Sequence, residues 1–162
     1  RGLKMHKVLL SMLAIATVAG CAQMNSSWDK MTGVVVKGKL TACPTKTAIG
    51  DVPSCGKVWK LASGSAELKK DGSLMAEVKG LVLDDASTGK YNGTPDGVDG
   101  VAAAVVCGGK VAAQTAVVAL SKAGDATVTA KVTVPGDCMK PVIVLRERYE
   151  GKVGGWLAAT AM

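Results

Sequence analysis

Asp125-Ala126-Thr127-Val128-Thr129-Ala130-Lys131-Val132-Thr133-Val134 alternates small apolar residues with Thr and Lys along its whole length. Period two with one apolar face marks a half-buried β-strand. The pattern recurs upstream. Ala66 and Leu68 alternate with Ser65, Glu67 and Lys69, Asp71-Gly72 follows, and then Leu74, Ala76 and Val78 alternate with Met75, Glu77 and Lys79. Two alternating runs around Asp-Gly predict a β-hairpin.

Gly108-Gly109 predicts a second hairpin, joining residues 101–106 to 111–120, and Ala123-Gly124-Asp125 a third. The Ala-rich stretches beside Gly108-Gly109 are read as strands because their neighbours are β-branched. Residues 34–42, 57–62, 141–146 and 156–160 complete about eight or nine strands, and a helix is hard to place after residue 20. Strands at turn intervals near ten residues predict one all-β domain over residues 33–162, a β-sandwich of Ig-like or jelly-roll type, with a barrel as the alternative. A transmembrane barrel is disfavoured, because the strands lack aromatic girdles.

Composition narrows the chemistry. The only histidine is His6, and Phe is absent. Ser-His-Asp and Cys-His nucleophiles need an imidazole, and catalytic zinc sites nearly always use one. No motif for a Ser-Lys or carboxylate-pair site is present, so the chain reads as a non-enzyme without a cofactor. Without Phe, the core falls to Val, Ala, Leu and Met, with Trp59 and Trp156 as its largest packing units; the other reading of these two is a carbohydrate groove.

Residues 1–20 read as a targeting segment. Met5 reads as the start, His6 and Lys7 as a short basic region, and residues 8–19 as an apolar run too short to span a bilayer. Removing them takes three of the 20 basic side chains (Arg1, Lys4, Lys7) and none of the 13 acidic ones, leaving a net charge of +4. That excess is poor in aromatic neighbours and forms no clustered stripe, which argues against a nucleic-acid partner; it is compatible with a modest attraction to anionic lipid headgroups, but scattered surface lysines account for it better.

Val18-Ala19-Gly20-Cys21 closes the apolar run. It resembles the lipobox of bacterial lipoproteins. The resemblance implies cleavage before Cys21, lipidation of its thiol, and a membrane partner through the N-terminal lipid. Ala22, where inner-membrane members often carry Asp, implies the outer membrane, facing the periplasm or the cell surface. Residues 21–32, with Asn25, Ser26, Ser27 and Asp29, read as the lipidated N-terminus and a tether. Extended, residues 22–32 reach about 36–40 Å. Trp28 within it suits a membrane interface.

With Cys21 assigned to lipid, Cys43, Cys55, Cys107 and Cys138 remain, and they can pair in three ways. Cys43 and Cys55 flank one loop containing Pro44, Gly50, Asp51 and Pro53, which favours Cys43–Cys55 together with Cys107–Cys138. Disulfides of these spans contribute about 3 to 4.7 kcal/mol each in the chain-entropy picture, and an envelope location preserves them.

Val78-Lys79-Gly80-Leu81-Val82-Leu83, residues 100–107, Gly124-Asp125-Ala126, Pro135, Cys138, Pro141-Val142-Ile143-Val144 and Gly155-Trp156-Leu157-Ala158-Ala159-Thr160 resemble stretches of uncharacterised secreted bacterial β-proteins. The resemblance implies the sandwich fold and the Cys107–Cys138 bond, and no activity.

Two clusters are candidate sites. Residues 84–99 form the longest predicted loop, where Asp84, Asp85, Asp96 and Asp99 could supply oxygens to calcium. Asp, Asn and Gly are equally the ordinary turn formers. Arg146-Glu147-Arg148-Tyr149-Glu150 reads as a solvated strand end with cross-strand ion pairs, or as a patch for an envelope protein or glycan partner. The enzymatic alternative is a cell-surface enzyme acting on carbohydrate or peptide with a carboxylate pair, such as Asp84 with Asp96 or Asp99. A small-ligand carrier would need a cavity that so alanine-rich a core leaves little room for.

Overall fold

Alternating sequence becomes strand in about half of the described residues. The structure is a computed structural model and describes residues 25–34, 48–54, 57–95 and 97–160. Twelve strands form among the described residues: β1 (Ser26–Trp28), β2 (Met31–Gly33), β3 (Trp59–Lys60), β4 (Ser63–Leu68), β5 (Ser73–Lys79), β6 (Val82–Leu83), β7 (Val98–Cys107), β8 (Lys110–Gln114), β9 (Val118–Ala119), β10 (Ala126–Lys131), β11 (Val142–Tyr149) and β12 (Lys152–Thr160). One antiparallel sheet has the order β1-β4-β5-β10. The second has the order β2-β12-β11-β7-β8, with β9 also paired to β7, and β3 and β6 make a short third pair.

The two larger sheets form an all-β sandwich around one apolar core. Leu74, Ala76 and Val78 of β5 alternate inward with Leu68 and Val128 beside them. Val101, Ala103 and Val105 of β7 and Ile143 and Leu145 of β11 meet them from the other sheet. Burying each of the large aliphatic side chains contributes roughly 1.5–3 kcal/mol.

Opposite-facing residues of the second sheet are covered too. Ala104, Val106, Val144 and Ala159 form a second apolar cluster with Ile49 and Val52, so residues 48–54 lie over the outside of the sheet. This double burial explains why residues 101–106 are continuously apolar rather than alternating.

Two of the three expected hairpins are present. Leu68 pairs with Leu74 across a turn closed by Gly72 N–H donating to the Lys69 carbonyl, and Gly72 takes the left-handed conformation the turn needs. Cys107 pairs with Lys110 across Gly108-Gly109, both at positive φ, the two-residue turn that matches strand twist.

Several expectations are corrected. Residues 26–28 and 31–32, expected in the tether, lie in strands: Ser26 pairs with Leu68 and Met31 with Thr160. Trp28 is half-buried against the core. Residues 111–120 do not form one strand, because Thr115 interrupts it. The Thr115 hydroxyl oxygen accepts from Ala103 N–H at 3.0 Å and donates to the Ala116 carbonyl at 2.8 Å, replacing ladder bonds. The turn at 121–125 is a corner between the sheets, since β9 pairs with β7 and β10 with β5. A Cβ on Gly124 would come within 2.4 Å of the Leu81 carbonyl oxygen, so only glycine fits that corner. A short 3-10 segment, Ala86–Tyr91, lies where no helix is expected. The strand count among the described residues exceeds the expected eight or nine because several strands have only two or three residues; the expected strand over residues 34–42 lies, past Val34, outside the described residues.

Strand direction defines the two ends of the sandwich. β9 pairs with Gly100 and Val101 near the start of β7, and β10 begins just beyond the 121–125 turn. β10 therefore starts at the Val98 end of β7 and runs toward its Cys107 end. There the 69–72 turn, the end of β10, the start of β1 and the Gly108-Gly109 turn come together. Val132 N–H bonds the Gly72 carbonyl, and Cys138, in the link from β10 to β11, is disulfide-bonded to Cys107.

Candidate functional site

Each candidate cluster takes its shape from local backbone chemistry. Asp85 is buried and caps the 3-10 segment, accepting from the backbone N–H of Ser87 at 3.0 Å and from its hydroxyl at 2.6 Å. Short polar side chains at such positions satisfy the free N–H groups of a helical start. Asp84 is ion-paired with Lys60 at 2.9 Å, and Asp99 with Arg148 at 2.7 Å. The hydrogen bond from Arg148 holds the Asp99 carboxyl below its ordinary range. Asp96 lies outside the described residues. Asp84, Asp85 and Asp99 thus serve three different partners. Among the described residues no group of three or more His, Cys, Asp or Glu is arranged to hold a metal ion.

The 146–150 cluster lies on β11 and the turn after it. Register alternates its side chains between faces: Arg146 is opposite Ala102 and Arg148 opposite Gly100 on the outer face, while Glu147 is opposite Val101 on the core side. Arg146 reaches across neighbouring strands, its Nε donating to the Gly154 carbonyl at 2.9 Å and a terminal nitrogen to Gln114 Oε1 at 2.6 Å. Gly100 on β7 makes room for the chain entering β9, since a Cβ there would come 2.6 Å from Val117 Cγ1 and 2.7 Å from the Val118 carbonyl oxygen. The arrangement is the cross-strand pairing expected of a strand end. Tyr149 is half exposed and packs over Gly97.

Glu147 is the most unusually placed carboxylate. It lies over Gly154, where a Cβ would come 2.8 Å from Oε1. Burial raises its pKa, and a bond from the Gly155 N–H offsets part of that rise. The folded state therefore holds this proton more tightly than the unfolded chain. Stability falls as pH rises from the ordinary carboxylate range through the raised folded value, and stays lower above it. Glu147→Gln keeps the acceptor for Gly155 and removes the charge. It should melt higher than wild type at neutral pH and match it below about pH 4, as followed by circular dichroism; an equal or lower melting point at neutral pH would refute the burial argument.

At the opposite end, the Cys107–Cys138 bond floors a shallow open groove of about 510 Å³. Gly108, Lys110, Pro135, Asp137, Met139 and Lys140 line it. Met139 is 83% exposed, the most exposed large apolar residue described. The 69–72 turn and Lys131 lie at the same end, where Lys131 bonds Asp71 at 2.7 Å. That bond and those from Ser73 hold the Asp71 carboxyl well below the ordinary range.

No family model, curated protein or solved structure matches the chain. Val18, Ala19, Gly20 and Cys21 lie outside the described residues, as do Cys43 and Cys55. Of the two favoured disulfides, Cys107–Cys138 is present, with Cα atoms 5.4 Å apart. Trp59 is buried in the core, and Trp156 is half-buried between the two apolar clusters.

Sequence reasoning missed two groups. One is the 48–54 segment over the second sheet. The other is the set of exposed lysines at the disulfide end: Lys69, Lys70, Lys110, Lys131 and Lys140. Pairing Cys107 with Cys138 already brings Lys110 near Lys140, a signal open to the sequence once that bond is assumed.

Proposed function

We propose that the chain is a membrane-anchored lipoprotein of the bacterial envelope, held by lipid on Cys21, whose sandwich has a non-enzymatic binding or structural role. The observation that carries this reading is Val18-Ala19-Gly20-Cys21 at the end of a short apolar run, four residues before the sandwich takes up the chain at Asn25. The Cys107–Cys138 bond suits an oxidising compartment. Two or three acyl chains, each CH₂ contributing about 0.8 kcal/mol, hold a protein at a membrane essentially permanently. An outer-membrane location follows from Ala22 on the same reading. The ion pairs of Asp84 with Lys60 and Asp99 with Arg148 support a structural use of these carboxylates rather than a hydrolytic one. The 84–99 loop and the β11–β12 turn, at the end away from the disulfide, are the surfaces offered to an envelope protein or glycan.

The native product should begin at Cys21 and carry fatty-acyl mass by intact-mass spectrometry, and partition into detergent. Cys21→Ser should abolish both. A wild-type product with residues 1–20 still attached, or without acyl mass, would overturn the anchor.

A further inference from the structure

We infer that the disulfide end of the sandwich is a docking face for anionic lipid headgroups, with Lys69, Lys70, Lys110, Lys131 and Lys140 turned toward the bilayer. The inference rests on the Cys21 anchor proposed above.

The first observation is where the chain joins the fold. The Asn25 side-chain oxygen accepts from Lys70 N–H at 2.9 Å, and Ser26 pairs with Leu68, so β1 starts beside the 69–72 turn. Only four Cα steps separate Cys21 from Asn25. Four steps of trans peptide span at most about 14 Å. The headgroup layer is itself about 5–8 Å deep on each side of the hydrocarbon. With a lipid on Cys21, the 69–72 turn is held within about one Debye length, 8–10 Å, of the charged surface. A tether of 11 residues would have left the domain free to stand off; pairing of β1 and β2 removes that freedom.

The second observation is charge. All five lysines are exposed. Lys131 is paired with Asp71 and Lys69 with Glu67, the latter at a loose 3.7 Å. Lys70, Lys110 and Lys140 make no ion pair among the described residues. Asp137 is the acidic side chain of the groove they border. Met139 stands out of the same face as an apolar group suited to the headgroup boundary. A lysine near an anionic bilayer favours association about fivefold.

The test uses the mature lipidated protein in phosphatidylcholine vesicles with and without about one-third phosphatidylglycerol. Lysine acetylation rates are read by peptide mass spectrometry. Lys70, Lys110 and Lys140 should label about fivefold more slowly on the anionic vesicles. Lys90, Lys122 and Lys152, toward the other end, should not change. About 1 M salt, with a Debye length near 3 Å, should erase the protection. Lys69 and Lys131 should share the slowing in wild type; in Lys70→Glu/Lys110→Glu/Lys140→Glu, changed at exposed positions, they should label equally on both vesicles while the protein still floats. Equal rates on both vesicles, protection of Lys90, Lys122 and Lys152 instead, or protection by a second copy of the protein in detergent would overturn the docking face. If the protein floats and carries acyl mass in those cases, the anchor stands and only the docking face is lost. A protein that neither floats nor carries acyl mass overturns both.

Discussion

Cys107→Ala/Cys138→Ala should lower the free energy of unfolding by about 4 kcal/mol and the melting temperature by roughly 15 °C. The bond closes a span of 31 residues, long enough that its loss releases substantial loop entropy to the unfolded chain. It also fixes the link between β10 and β11, where residues 132–141 carry the chain from one sheet to the other. Val132 and Val134 in this link pack against the core without belonging to a strand. The bond is thus a principal constraint on a segment with little backbone ladder of its own. Substitution is a cleaner probe than a reducing agent, which would also reach any other disulfide in the chain. Urea denaturation should show a lower midpoint. An unchanged midpoint would mean that packing of the link alone holds the two sheets together.

The sequence was most legible where one physical signal acted alone. Leu74, Ala76 and Val78 alternate because one face of β5 meets the core and the other meets water. Gly108-Gly109 forms a tight turn because glycine reaches positive φ without strain. Legibility failed where tertiary pairing supplied what local pattern lacked. Ser26–Trp28 offers one large apolar residue and no alternation, yet it becomes an edge strand because the backbone of β4 is open beside it. Thr115 looks like any strand residue, but its hydroxyl competes with the ladder. The Asp-rich loop was ambiguous for a related reason. Asp85 and Asp99 have the chemistry of calcium ligands and of turn and ion-pair formers alike, and only their partners, Ser87 and Arg148, distinguish the uses. The lysines of the disulfide end lie up to 71 positions apart in sequence, from Lys69 to Lys140, and share an end only through the order of the sheets.

Ile49→Ala/Val52→Ala should destabilise the protein by about 4 kcal/mol, as much as a double truncation in the central core. By sequence these residues sit in a loop rich in Gly, Asp and Pro, where such changes are ordinarily tolerated. In the structure Ile49 is 5% exposed and Val52 1%. They bond each other's backbones and cover Ala104, Val106, Val144 and Ala159 on the outside of the second sheet. The segment is held at both ends of its crossing. The Asp51 side chain accepts from Val111 N–H at 3.0 Å beside the Gly108-Gly109 turn, and the Pro53 carbonyl accepts from Trp156 N–H at 3.1 Å on β12. The Ser54 hydroxyl donates to the Trp156 carbonyl. Such fixed placement limits how far the site can collapse after truncation, so the cavity cost adds to the lost transfer energy. Met75→Ala, on the exposed face of β5 at 42% exposure, serves as the control and should stay within about 0.5 kcal/mol of wild type. If the double variant unfolds within about 1 kcal/mol of wild type in urea, residues 48–54 rest on the sheet without stabilising it. The continuous apolar run of β7 would then need another explanation.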